Sequence, residues 1–477
     1  MTATRVRAGP GRPHVPEGLL QLVLLAGPML SMIDSSVVNV AVPVIVTDLH
    51  TTLATAAWAL SGYLLGLACG LAASPWLARR FGAMPAYTAA LAGFVLASAA
   101  CAVAPSVGLL IAARVTAGLL GAPMVPLAMG LLLGRDGAAK TMPPSAGIML
   151  FAAPALGPAL GGLLIGVFGW RSVFLVNVPA GLAALAGLRL LRRTRGGPAG
   201  DPSARLDVPG LALLSTGLGL ATYGASQGPG HGWLSAASAP AWLGGLALIG
   251  GYLLWHRRRA GHTAPAVNLS VLAAPRRALT LALACVASVV LFSVLFLAPV
   301  YLQDIQHRTA AVTGLALLPQ GVVMGLASWL GSVLIERGRG RPAIIVGSVV
   351  GGLALLSVAT LAMLLLGPAT PVWASATLFC GRGVALGLTV QPLVMELVGD
   401  LPADQLPDAN TLFSITERLS GSFGIALLAT YYAQRVRITG LPVAAFHDCV
   451  AVLAAAAAAG ALAALALRRG TMGTPPD

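Results

Sequence analysis

The sequence predicts an all-α integral membrane protein with fourteen transmembrane helices, and three observations carry that prediction. The first is composition: of 477 residues, 57% are hydrophobic and 9% charged, with a mean hydropathy of +0.86, whereas a soluble domain carries about 25% charged residues. The second is length: a bilayer core needs about 20 apolar residues per helix. Segments of that size centre near residues 30, 67, 94, 120, 154, 181, 216, 247, 289, 324, 354, 384, 421 and 457. The third is charge: of the 29 lysines and arginines, 22 fall before span 1, after span 14 or in the loops on that same side. The opposite loops hold only Arg171, Arg308, Arg435 and Arg437, and Arg114, Arg382 and Arg418 lie within spans. By the positive-inside rule both termini are then cytoplasmic. The loop "MELVGDLPADQLPDAN" between spans 12 and 13 has four acids and no base, but acidic residues contribute little to orientation.

The same composition excludes other classes. A net charge of +14 is a feature shared with nucleic-acid binders, but those need arginines clustered on a soluble face, and here they sit between apolar segments. Lys140 is the only lysine; arginine codons are GC-rich, which points to a bacterial source. The five cysteines form no C-x-x-C pair and no histidines have ligand spacing, so neither a metal site nor a disulfide framework is indicated. The basic N-terminal stretch leads into an apolar run that lacks a small-residue cleavage signal and is read as an uncleaved first span. A Walker lysine motif and H-E-x-x-H are both missing from the sequence, which argues against a metalloprotease or an ATP-driven pump. The polar connections near 192–207 and 256–278 are too short for a sensor's output domain.

Taken in order, span 1 contains "SMIDSSVVNVAVPVI", with Asp34 inside an apolar run. An unpaired charge at the centre of a membrane helix costs about 2.5–3.5 kcal/mol on insertion scales, so such a residue usually faces a cavity or a partner. Ser31, Ser35 and Asn39 recur at four-residue spacing and Asp34 projects about 60° from Ser31, so the four are expected to line one side of a cavity. Either Asp34 exchanges a proton, because low dielectric disfavours the charged carboxylate, or it is a hydrogen-bonded structural residue. A cavity carrying that charge would admit lipophilic molecules, cations in particular. Span 2 contains "WALSGYLL", where Trp58 and Tyr63 either stack on substrate or anchor at the interface. In span 4, Arg114 either organises the cavity or proton path by pairing with a carboxylate or backbone carbonyls, or snorkels toward an interface. In span 5, "PALGPALGG" places Gly157, Pro158, Gly161 and Gly162 where they bend the helix and allow close approach. "ARVTAGLLGAPMVPLAM" in span 4 and "GRGVALGLTVQPLVM" in span 12 both run from an arginine through glycines to Pro-Leu-x-Met, making Arg382 the counterpart of Arg114. Two six-helix halves follow, with a site near the midplane between them: a tail at 1–17, a half at 18–191, an inserted helix pair at 192–262, a half at 263–469 and a tail at 470–477. Glu417 in span 13 is a second candidate proton or cation site, or an ion-pair partner of Arg418 or Arg382.

These residues resemble the fourteen-helix drug:proton antiporter branch of the major facilitator superfamily, over nearly the whole chain. "IDSSVVNVAVP" resembles L-D-x-T-I-V-N-V-A-L-P, matched at Asp34, Asn39 and Pro43 among others. "WALSGYLL" fits W-x-x-x-x-Y-x-L, "PALGPALGG" is similar to the antiporter motif, and "GWRSVFLVNVP" fits W-R-x-x-F-x-x-N-x-P. The inner loop after span 2 departs from G-x-L-x-D-R-x-G-R-R: "PWLARRFGAM" keeps Arg80 and Gly82 but has Arg79 at the aspartate position. Span 13 has Glu417 where the branch has arginine. The resemblance implies a major-facilitator fold and a proton-coupled multidrug efflux antiporter in a bacterial cytoplasmic membrane. It implies no cofactor beyond the proton gradient, and protons, lipophilic small molecules and the lipid bilayer as partners. Proton coupling would fall to Asp34 and Glu417, and the substrate cavity to Asp34, Asn39, Trp58, Tyr63, Arg114 and Arg382. Arg80, Gly82, Gly157, Pro158, Gly161 and Gly162 would be conformational. A monomer is expected, and export of one endogenous metabolite or self-made antibiotic is the alternative.

Overall fold

Backbone groups in hydrocarbon must satisfy their hydrogen bonds within the segment, and the apolar runs accordingly fold as helices. The computed structural model describes residues 17–133, 144–194, 200–203, 205–259, 269–337, 341–402 and 405–471. The expected tails, 1–17 and 470–477, lie almost wholly outside the described residues.

All fourteen expected helices are present, and each expected centre falls inside its helix. Spans 1 to 3 are Glu17–Asp48, Leu53–Ala56 with Trp58–Phe81, and Ala83–Ala102. Spans 4 to 6 are Val107–Gly121 with Met124–Leu133, Pro144–Phe168, and Ser172–Leu175 with Asn177–Thr194. Spans 7 and 8 are Val208–His231 and Ala239–Arg259. Spans 9 to 11 are Pro275–Val300 with the π-helical turn Tyr301–Ile305, Ala310–Arg337, and Arg341–Leu361. Spans 12 to 14 are Val372–Val398, Leu406–Thr439 and Pro442–Thr471. Among the described residues, 11 of these helices are long and apolar enough to cross a membrane by length and composition. Span 13 falls short of that apolarity: it carries Glu417 and Arg418, which line an internal cavity.

Local chemistry explains the breaks and joints. Pro28 has no N–H for the carbonyl of Leu24, and the Tyr87 hydroxyl donates to that oxygen instead, at 2.8 Å. Pro123 sits in the break of span 4. Gly82, at φ +83°, makes a one-residue joint between spans 2 and 3, a conformation that costs glycine little. Within the first half, spans 2 and 4 touch backbone to backbone: a β-carbon on Gly118 would lie 2.2 Å from the Tyr63 carbonyl oxygen. Spans 10 and 12 repeat this contact, with Gly387 against the Met324 carbonyl. Small residues at such crossings are the usual means of bringing membrane helices together. Spans 7 and 8 pair through Gly224 and Gly245.

The face where span 1 begins and span 14 ends is here the near face, and the other the far face. The halves meet between the middle of the protein and the far face. Ser61 of span 2 and Ser422 of span 13 exchange hydroxyl-to-carbonyl hydrogen bonds of 2.8 and 2.9 Å. Gln303 donates to the Val40 carbonyl at 2.9 Å. Gly162 and Gly314 let spans 5 and 10 approach to backbone contact.

Candidate functional site

Asp34 lies in the middle of the first half, packed inside it rather than facing the second half. Its carboxylate takes two side-chain donors: Arg114 Nη1 on Oδ2, and Asn177 Nδ2 on Oδ1 at 2.9 Å. Both ionic side chains are at most 1% exposed. Arg114 Nε donates to the Ala59 carbonyl at 3.0 Å, and the guanidinium carbon stands 3.9 Å from the Tyr63 ring centroid and 5.5 Å from that of Phe174. Three elements therefore converge on one carboxylate. Span 1 carries the acid, span 4 the base, and the start of span 6 an amide. Desolvating both ions is costly, so the pair is tolerable only with this set of additional contacts. Removing one partner of a buried pair leaves an uncompensated charge, at a cost of about 3–5 kcal/mol.

Asn177 and Phe174 belong to the stretch "GWRSVFLVNVP", and the sequence reading assigned neither a role. The available signal was an amide at the head of an apolar span. The start of that motif closes the far end, where Trp170 Nε1 and Arg171 Nη1 donate to Asp48 Oδ2 at 2.7 and 2.8 Å. This fastens the turn before span 6 to the end of span 1.

The expected polar stripe divides. Ser31, Ser35 and Asn39 face an internal cavity between the halves, on the near side of the Ser61–Ser422 contact. Asp34 does not share that face. Its 60° offset is enough to turn it into the first half, where Arg114 and Asn177 hold it. The cavity has two lobes of about 240 and 160 Å³ that share Met32, Ser35, Glu417 and Arg418. A path of contacts joins it to the buried acid. Arg114 stacks on Tyr63, the Tyr63 hydroxyl lies 2.8 Å from Ser31 Oγ and 3.0 Å from the Ser31 carbonyl, and Ser31 lines the cavity.

The other predicted residues are distributed around this centre. Glu417 lines both lobes, and among the described residues it makes no ion pair with Arg418 or Arg382. Arg382 is fully buried, and its Nη2 donates to the Leu291 carbonyl at 3.1 Å. Among the described residues its Nε and Nη1 have no hydrogen-bond partner. Trp58 is displaced from the expected site: with Tyr223 of span 7, ring centroids 6.0 Å apart, it lines a separate far-face cavity of about 710 Å³. It starts its helix just after the break in span 2. Gly157 and Gly161 face span 1 at Ser36 and Val37, and Gly162 faces span 10 at Ala310. Pro158 lines the smaller lobe.

Arg80 and Gly82 lie at the near face, where the connection between spans 6 and 7 returns to the loop. The Asp201 N–H donates to the Arg79 carbonyl at 2.7 Å, and a β-carbon on Gly200 would lie 2.2 Å from the Arg80 carbonyl oxygen. Hydrogen bonds from the Ser203 side chain and backbone hold the Asp201 carboxyl below the usual carboxylate range, and the Arg80 charge adds to them. A carboxylate from a distant segment thus stands beside the loop in which Arg79 replaces aspartate.

The family model described as Major Facilitator Superfamily matches residues 24–425. The chain is 32% identical to the Multidrug resistance protein B homolog of Mycobacterium tuberculosis, over 89% of this chain and 77% of that protein. It is 32% identical to the Tetracenomycin C resistance and export protein of Streptomyces glaucescens, over 87% and 76%. Identity to the Multidrug export protein EmrB of Escherichia coli is 27%, over 87% and 80%. Among solved structures, the POT family transporter PepTSo superposes with a TM-score of 0.68 over 97% of this chain and 100% of that one, at 15% identity. That likeness concerns the fold alone.

Proposed function

The chain belongs to the Major Facilitator Superfamily, a family of membrane transporters, and we propose that it is a proton-coupled antiporter exporting lipophilic drugs or antibiotics across a bacterial cytoplasmic membrane. The observation that carries this reading is the ion pair of Asp34 and Arg114, withdrawn from water yet linked through Tyr63 and Ser31 to the cavity between the halves. Relatives named for multidrug and antibiotic export support the substrate class.

The geometry supports the following mechanism. Protonating Asp34 removes the charge that holds Arg114, and the guanidinium then keeps the Ala59 carbonyl and the Tyr63 and Phe174 rings. Movement of that ring is felt at Ser31 in the cavity wall, so proton and substrate bias the same packing without sharing one atom. Coupling of this kind requires two arrangements with different affinities for each ligand. Glu417 lines the cavity itself and is the second proposed proton site.

Export of one self-made antibiotic is the narrower reading, favoured by similarity to the tetracenomycin C export protein. A resistance panel in an efflux-deficient bacterium, paired with proton-gradient-driven uptake into inverted vesicles, tests the proposal. Resistance to several unrelated lipophiles supports multidrug export, and resistance to a single compound supports the narrower reading. Absence of gradient-driven transport of any compound overturns both. The proposed orientation puts both termini in the cytoplasm, so cysteines replacing Arg79 and Arg258 should react with impermeant reagents only from that side.

A further inference from the structure

The expectation of cationic substrates rested on a free carboxylate in the cavity wall. The structure distributes charge differently. Asp34 is bound to Arg114, and Glu417 and Arg418 line the cavity together with opposite signs. Arg382, a further charge in the membrane core, has no charged side chain of opposite sign within ion-pair distance among the described residues. It is 0% exposed, and its Nε and Nη1 have no hydrogen-bond partner among those residues. A guanidinium does not deprotonate in proteins, and an isolated buried ion is among the most costly arrangements a fold can hold.

Its position says what would relieve that cost. Arg382 Nη2 is held by the Leu291 carbonyl, and the next residue, Gly383, packs against Gln320. Leu291 and Gln320 both line the smaller lobe of the cavity. Arg382 therefore stands one side chain behind a wall of apolar, amide and hydroxyl groups that also carries Glu417 and Arg418, with two nitrogens free to donate among the described residues.

We propose that Arg382 is an anion-receiving site, which takes the acidic group of a lipophilic weak acid whose apolar body fills the lobe formed by Phe292, Leu295, Leu317 and Met324. The inference rests on the exporter reading and names its substrate class as organic anions in preference to cations. A carboxylate or phenolate would supply the missing charge and accept charge-assisted hydrogen bonds from the guanidinium, which are roughly twice as strong as neutral ones. The two halves then handle charge differently: arginine with a resident acid in the first, and arginine with an acid brought by the substrate in the second.

The test uses the purified full chain in nanodiscs with three probes: 1-pyrenebutyrate, its methyl ester and the cation rhodamine 6G, with empty nanodiscs as the blank. Wild-type protein should bind the acid about tenfold or more tightly than the ester, the least that one charge-assisted hydrogen bond supplies. That preference should fade as pH falls and the probe itself protonates. Arg382→Gln should bring the acid down to the affinity of the ester. Equal affinity of wild-type protein for acid and ester, or no binding of the acid, overturns the inference, and neither result depends on the variant folding. An acid preference retained by folded Arg382→Gln overturns it as well. Gradient-driven transport of any probe into proteoliposomes is scored separately, so the exporter reading and the anion site can fail independently.

Discussion

At the scale of the residue, the opening problem is why a membrane helix keeps Asp34. Its partners answer that: one arginine, one amide and a nearby aromatic ring make a closed set around a carboxylate that water does not reach. In the proposed mechanism Tyr63 transmits what happens there: its ring carries the guanidinium and its hydroxyl reaches Ser31. Tyr63→Phe keeps the ring and removes the hydroxyl. We expect a folded protein, less stable by about 0.6 kcal/mol and by no more than about 1.7 kcal/mol, the average and the maximum measured for hydrogen bonds between membrane helices. Substrate should still bind but release fewer protons, which a pH indicator in weakly buffered detergent solution reads directly. Asp34 and Arg114 were legible in the sequence because a charge inside an apolar run is conspicuous. Their pairing was not, since it depends on how spans 1 and 4 are rotated. Asn177 was quoted within a motif without a role, because an uncharged amide near a helix start has many uses. Trp58 was legible as an aromatic near the start of a span, but which cavity it borders depends on the inserted span 7.

At the scale of the element, glycines decide which helices can touch. Span 5 presents Gly157 and Gly161 to span 1 and Gly162 to span 10, so one helix contacts both halves. A β-carbon at Gly162 would lie 2.3 Å from the Ala310 carbonyl oxygen, which is backbone and yields little. Gly162→Ala should therefore destabilise the arrangement closed at the far face by about 1–3 kcal/mol, the usual cost of overpacking. The expected readout is faster far-side modification of a cysteine placed at Ser422, with substrate binding retained. The sequence displayed these glycines as a motif, and their spacing implied close approach. It did not reveal which neighbour each one meets. The near-face loop makes the same point, since Asp201 lies far along the chain from Arg79 and only the return of residues 200–203 brings them together.

At the scale of the whole molecule, number and placement of helices were legible because bilayer thickness fixes the length of an apolar run. The seal between the halves was not, because Ser61 and Ser422 are small polar residues in spans rich in them. Transport requires that seal to open. In a background lacking the native cysteines, oxidation of the Ser61→Cys, Ser422→Cys pair should abolish transport, and a reductant should restore it. Transport that persists with the two halves bonded there would show that the far face need not part at this point. The account as a whole depends on Asp34 exchanging a proton in response to substrate at a distance. Asp34→Asn preserves volume and hydrogen bonding but cannot exchange a proton. The decisive measurement is the number of protons released by purified protein in detergent when substrate is added near neutral pH. The account predicts release from the wild type and none from a folded, substrate-binding Asp34→Asn protein; release equal to wild type from that variant would contradict it.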